Sequence, residues 1–243
     1  MRKIIVTSAV AVAISLAQAT GQTTTTSQSQ HPNGKKGTYT ETVTQTPNGS
    51  TITTTTYTPN AAASFGVKAS VSLSNFTIRN VDNCQSKMKL GFSAGVFLKI
   101  ESGAFALQYE LLLRHRTFEM KDAESQVRTN YKHWGLELPI YFMGRINAGA
   151  GKVFIGAGPY VSVALDGKQT PGNIALYAKN GIGNKAIMNR WDFGLGATVG
   201  YEFKNGLSNF VSYQAGLINN LSAEKDKMTL KSQILNLSIG YKF

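Results

Sequence analysis

His133 and Glu137 are the first residues whose types suggest chemistry, because acyl hydrolysis needs a nucleophile, a base and a group that orients the base. On an extended chain the two share one face, but they stand about 13 Å apart along it, beyond direct hydrogen-bond reach. His115 falls near the end of a different segment, and nothing brings the hydroxyls of Ser125 or Ser162 to either histidine. His133 therefore reads as a packed or rim residue, and no catalytic set is expected. The single Cys84 can neither close an internal disulfide nor anchor a metal cluster. Glycines recur at strand spacing and not in a phosphate-cradling loop, so no nucleotide site and no cofactor are expected.

A second constellation is electrostatic. Lys68, Lys99, Glu110, Arg114, Glu137, Arg145, Arg190, Asp192 and Glu202 fall by parity on one face of successive alternating segments. Both signs occur on neighbouring segments. If that face encloses a narrow space, unpaired charges there would be very costly, so salt bridges that fill the space are expected. A proton or solute path along the same residues is the functional alternative.

The elements that must position these residues begin after Ala62. Period-two patterning predicts strands over 64–76, 88–100, 103–118, 130–145, 151–165, 190–203, 207–218 and 229–243. In the last, Leu235, Leu237, Ile239, Tyr241 and Phe243 alternate with Asn236, Ser238, Gly240 and Lys242. In the second, Phe97 breaks an otherwise polar set. The implied fold is all-β, an eight-stranded antiparallel transmembrane β-barrel with a Thr-rich N-terminal extension.

Alternation alone does not say which face is inside. Four features place the apolar face outward, towards lipid. Most predicted strands exceed the 9–11 residues that a tilted membrane strand needs, whereas strands of soluble proteins cluster near 5–6. The polar face is rich in Gly and Ser with isolated charges, which suits a narrow filled lumen better than a water-facing surface. Connections alternate between tight turns at 101–103, 147–150 and 204–206 and longer polar loops near 77–87, 119–129, 166–189 and 219–228. Finally, Tyr241 and Phe243 close an alternating strand, the aromatic pattern expected of a C-terminal assembly signal for the outer-membrane barrel assembly machinery. Phe65, Trp134, Trp191, Tyr201, Phe203 and Tyr241 lie near strand ends, where aromatic side chains form interfacial girdles.

The N-terminus fits export. Arg2 and Lys3 precede the apolar stretch Ile4 to Leu16, and Ala17-Gln18-Ala19 is a small-x-small cleavage site, so residues 1–19 read as a signal peptide cut after Ala19. No other stretch offers ~18 consecutive apolar residues for a transmembrane helix. Residues 20–62 are Thr-rich with few large apolar side chains and read as a periplasmic linker. Within it, two β-prone runs flank Pro47-Asn48-Gly49, a turn signal that would allow a weak hairpin. The rest, 63–243, is the barrel. With short turns inside and an even strand count, both termini are expected in the periplasm, where the linker could meet a periplasmic partner.

Loss of Arg2 and Lys3 would bring the formal charge of +12 to +10. The cations are scattered, with no basic run beyond Lys35-Lys36, so nucleic acid is not expected. Outer membrane lipids and lipopolysaccharide phosphates are sufficient partners. The longest loop carries Lys168, Lys179 and Lys185 against Asp166, which makes it the candidate binding surface.

Several segments resemble one family. His133-Trp134-Gly135-Leu136-Glu137-Leu138-Pro139-Ile140-Tyr141 resembles a strand of the PorT-like outer membrane β-barrel domain common in Bacteroidota. Gly156-Ala157-Gly158-Pro159-Tyr160-Val161-Ser162 resembles its glycine-rich strand, and Trp191 to Phe203 the strand that follows. Tyr213 to Asn219 and Ser238 to Phe243 are similar to its last two, so that the resemblance runs in order over 64–243 and leaves the Thr-rich segment outside. It implies a porin-family barrel in the outer membrane and no particular reaction. The functional expectation is a non-enzymatic envelope scaffold or surface-loop binding protein with a side-chain-filled lumen. A narrow porin-like channel is the alternative, and an outer-membrane lipid-modifying enzyme the second.

Overall fold

The alternating segments become a two-sided sheet. The computed structural model describes the backbone at 22–30, 36–45, 51–59, 61–79, 84–122, 128–178, 186–221 and 229–243. Residues 1–19, read from the sequence as a signal peptide cut between Ala17-Gln18-Ala19 and the rest, lie outside the described residues. Residues up to Ala62 and residues from Ala63 form two separate units. In the first, β1 (Gln22–Gln30), β2 (Lys36–Gln45) and β3 (Thr51–Pro59) form an antiparallel sheet in the order β1-β2-β3. β2 and β3 pair from Gln45↔Thr51 outward, with Pro47-Asn48-Gly49 between them. The Thr-rich segment thus carries three paired strands. β-branched threonines fit a pleated ladder whether or not a core stands behind it.

The second unit contains β4 (Ala62–Arg79), β5 (Cys84–Lys87), β6 (Lys89–Ser102), β7 (Phe105–Asp122), β8 (Arg128–Ala148), β9 (Gly151–Thr170), β10 (Ile174–Ala175), β11 (Trp191–Phe203), β12 (Leu207–Gly216) and β13 (Thr229–Lys242). Pairing runs β4-β6-β7-β8-β9-β11-β12-β13, and β13 then returns to β4 from Thr229↔Arg79 to Lys242↔Gly66. The sheet is therefore a ring of antiparallel strands. β5 and β10 are short additions on β7 and β9 at the long-loop end. No helix among the described residues is long and apolar enough to cross a membrane.

Tight turns join β6 to β7, β8 to β9 and β11 to β12. Gly103, Gly149 and Gly206 take φ of 58°, 55° and 86° there, a region that glycine enters without a Cβ clash. At the other end β7, β8 and β9 run farther than their apolar patterning suggests. Lys121↔Arg128 and Asn130↔Thr170 still pair, because ladder hydrogen bonds, not hydrophobicity, decide where a strand stops. The predicted loops at 119–129 and 166–189 shrink accordingly. A register shift between Trp134 and Gly135 lets β8 and β9 stay paired over this length.

The two faces are inverted relative to a soluble protein. Val67, Val71, Leu73, Leu195, Leu237 and Ile239 are exposed on the outside of the ring, while Lys68, Ser70, Ser72, Ser74, Ser238 and Asn236 are buried inside. Phe65, Trp134, Trp191, Phe203 and Tyr241 also face outward. Phe97, the exception in β6, points inward with the polar set. Its ring occupies the place where a Cβ on Gly66 would stand 2.3 Å away, and it also borders Gly240. Glycines on two neighbouring strands make room for one aromatic ring.

The outward apolar face makes a direct prediction. Leu237, 59% exposed and paired with Val71 and Val211, should tolerate other apolar residues but not a charge. Leu237→Arg should destabilise the chain by about 2–4 kcal/mol, the cost of a cation near mid-bilayer depth. Urea unfolding in phosphatidylcholine vesicles, followed by tryptophan fluorescence, measures the change.

Candidate functional site: a polar lumen under an apolar cap

Alternation in the paired segments sends the charged residues of each strand to one side, and the ring then brings those sides together. Three clusters stack along the interior. Nearest the long loops, Glu137 of β8 accepts hydrogen bonds from Arg114 Nη2 at 2.7 Å, from Arg116 and from Gln214 Nε2 at 2.8 Å. Arg114 also donates to Asn236 Oδ1 at 2.6 Å. Arg116 reaches Asp192 Oδ2 at 3.4 Å, and Ser232 and the Tyr160 hydroxyl donate to the same oxygen at 2.6 and 3.3 Å. Two guanidiniums thus face two carboxylates in a fully buried cluster.

At mid-depth Lys68 Nζ donates to both oxygens of Glu110 at 2.7 and 2.9 Å, and Gln108 Nε2 donates to the same carboxylate at 2.6 Å. Towards the tight turns, Lys99 pairs with Glu202 at 2.7 Å and lies 4.2 Å from the Phe154 ring centroid, a cation–π distance. Lys242 also pairs with Glu202. Glu101 accepts from Arg145 at 2.7 Å and Lys152 at 2.9 Å, with Lys242 at 3.6 Å.

Eight of the nine residues expected on the charged face stand in these clusters: Lys68, Lys99, Glu110, Arg114, Glu137, Arg145, Asp192 and Glu202. Arg190 does not. It precedes β11, is exposed, donates to the carbonyls of Ala164 and Leu165, and lies over the Tyr177 ring at 5.4 Å. Strand parity cannot be carried past the end of a strand, which is why the sequence pattern misplaces it. Arg116, Glu101, Lys152 and Lys242 complete the clusters. The same alternation carries them: Arg116 follows Arg114 by two, Glu101 follows Lys99 by two, and Lys152 shares parity with Tyr160 and Ser162.

His115 and His133 both pack against aromatic rings. His115 is on the outer face, stacked on Phe92 at 5.1 Å and close to Trp134 at 5.0 Å. His133 is inside, 5.5 Å from the Phe118 ring, and its Nδ1 has no hydrogen-bond partner among the described residues. It belongs to an apolar cap over the long-loop end of the lumen. The cap consists of Phe76, Phe118, Leu176, Tyr177, Met188 and Leu230, all buried, with Phe76 and Phe118 stacked at 4.0 Å. Leu176 is held by its own N–H to Gly167 O and by N–H groups of Ile187 and Met188 to its carbonyl. Burial pushes the Tyr177 hydroxyl up to about 12, so it stays protonated. The cap has no periodic signature in sequence, because its members come from strand ends and from the segments around 176 and 188.

Outward apolar strands, a closed antiparallel ring and an interior of paired charges define an outer-membrane type of β-barrel. A model of the outer membrane protein beta-barrel domain matches residues 20–222, and the chain belongs to that family. Its place is the bacterial outer membrane. The matched span begins in the Thr-rich segment, which the strand motifs alone had left outside. Among solved structures, Neisserial surface protein A (NspA) is 14% identical, with 75% of this chain and 99% of that chain covered and a TM-score of 0.45. Ail, the attachment invasion locus protein of Yersinia pestis, in complex with the heparin analogue sucrose octasulfate, is 14% identical, with 74% and 99% covered and a TM-score of 0.38. Comparison with curated protein sequences finds no match.

The buried pairs predict a double-mutant result. Lys68→Met should destabilise the chain by about 3–5 kcal/mol, because Glu110 loses its cation inside the lumen. Adding Glu110→Met should recover most of that loss. The midpoints of urea unfolding in vesicles test both, and an additive double variant would contradict the pairing.

Proposed function

We propose that this chain is a non-enzymatic, eight-stranded outer-membrane barrel of the PorT-like, porin-related type. In this reading its lumen is closed by side chains and it serves as an envelope scaffold or a surface-loop binder. The observation that carries the closed lumen is Glu137, which two arginines and a glutamine hold at the centre of the outer cluster, beneath the apolar cap. A conducting path would have to cross both. The PorT-like affiliation is supported by the motif segments, which fall on β8, β9, β11, β12 and β13.

Export with loss of residues 1–19, recognition of Tyr241 and Phe243 during assembly, and both termini on the periplasmic side belong to the same reading. So do outer membrane lipid and lipopolysaccharide as partners of the outer surface. A narrow channel is the second reading; the chain of charged residues along the lumen favours it. A lipid-modifying enzyme would require a hydroxyl nucleophile at His115 or His133, and the aromatic packing of both side chains argues against it.

Single-channel recording of the full chain in planar bilayers tests the reading. No steady conductance is expected. Steady current would establish the channel instead. Unchanged lipid A composition in cells carrying His115→Ala and His133→Ala is expected as well, and altered acylation would favour the enzyme.

A further inference from the structure

The charge of the lumen is balanced in two clusters and unbalanced in the third. The outer cluster sets Arg114 and Arg116 against Glu137 and Asp192, and the middle one sets Lys68 against Glu110. At the tight-turn end, however, Lys99, Arg145, Lys152 and Lys242 share only Glu101 and Glu202 among the described residues. Lys204, exposed in the turn just past β11, borders the same mouth and makes no ion pair among the described residues. The excess of cations therefore collects at one mouth.

That mouth is also open. A recess of about 320 Å³ lies there, lined by Asn147, Gly149, Gly151, Lys152, Glu202, Phe203, Lys204 and Lys242. A Cβ at Gly149 would meet nothing within 4 Å. The turns that frame the recess, 147–150 and 204–206, bring no carboxylate of their own. The side chains of Lys152 and Lys242 are 32% and 21% exposed, so their ammonium groups lie at the boundary between the lumen and the solvent. An ammonium carries three donors, and the carboxylates here leave some of them unused.

We propose that this recess is a binding site for an oxyanion, a phosphate or a carboxylate, held by Lys152, Lys204 and Lys242. Glu202 fixes two of the surrounding lysines and keeps them from spreading into solvent. Asn147 adds an amide donor at the rim. The ligand enters from the tight-turn side and does not cross the lumen, where Lys99 pairs with Glu202 and lies over the Phe154 ring. The oxyanion is carried either by a soluble molecule or by a lipid headgroup in the facing leaflet.

The test uses the full chain, labelled with nitrogen-15 and refolded in neutral detergent micelles. Inorganic phosphate is titrated in one arm, and phosphatidylglycerol is mixed into the micelles in the other. Saturable amide shifts confined to 147–152, 203–206 and 242 are expected in at least one arm. Shifts with phosphate point to a soluble oxyanion, and shifts with the lipid alone to a headgroup. Lys204→Gln, which breaks no ion pair, should weaken binding by about fivefold, the worth of one partly exposed charged contact. Lys152→Gln should act similarly, with Lys204→Gln as the variant that leaves the lumen pairs intact. Absence of saturable shifts in both arms, or affinity unchanged in Lys204→Gln, would overturn the proposal.

Discussion

Lipid offers no partner to a backbone N–H or carbonyl, and the whole architecture follows from that constraint. Each strand of the ring must find neighbours on both sides, so the last strand has to return to the first. Here the return is β13 to β4, fourteen residues of uninterrupted register. Once the ring closes, alternate side chains have only two destinations. Those facing lipid must be apolar, and those facing the narrow interior must fill it and satisfy one another. The serines, glycines and ion pairs of the interior are what remains compatible with that second destination. Phe97, Phe154 and Phe210 show that an aromatic ring also fits, provided that glycine stands opposite or a lysine lies over its face.

The strands and the direction of each side chain were legible in the sequence because period-two patterning is a local signal. It placed Lys99 and Glu202 on the same side of the sheet without saying that they touch, although they lie more than a hundred residues apart. Contact came from the closure of the ring, which no local pattern contains. Arg190 marks the limit: one residue outside β11 its side chain turns to the Ala164 and Leu165 carbonyls and to Tyr177. Arg116 and Lys152 mark the opposite case. Their parity was available, but charged residues near strand ends read equally well as loop residues. The cap was not legible at all. Leu176, Tyr177 and Met188 lie in polar, aperiodic surroundings, and only their burial against Phe76, Phe118 and Leu230 gives them a role.

Cap and lumen solve different problems. The lumen pairs are costly to desolvate, and a buried ion pair contributes less to stability than its geometry suggests. Their value here lies in register, since a one-residue slip of any strand would turn its charges into lipid. The cap shields those pairs from water on the long-loop side. Its hydrogen bonds run to both neighbours, from Leu176 to Gly167 on β9 and from Asn189 to the 219–221 segment. The described ends of the two connections are therefore joined to each other by hydrogen bonds.

The strands are unequal in height. β7, β8 and β9 have 18, 21 and 20 residues, against 13 and 10 for β11 and β12. Only about ten residues per strand are needed to cross the hydrocarbon layer. The three neighbours β7, β8 and β9 consequently form a run of tall strands along one arc of the ring, beside the shorter β11 and β12. A bulky molecule approaching along the membrane plane from the side of that arc meets a β-sheet wall.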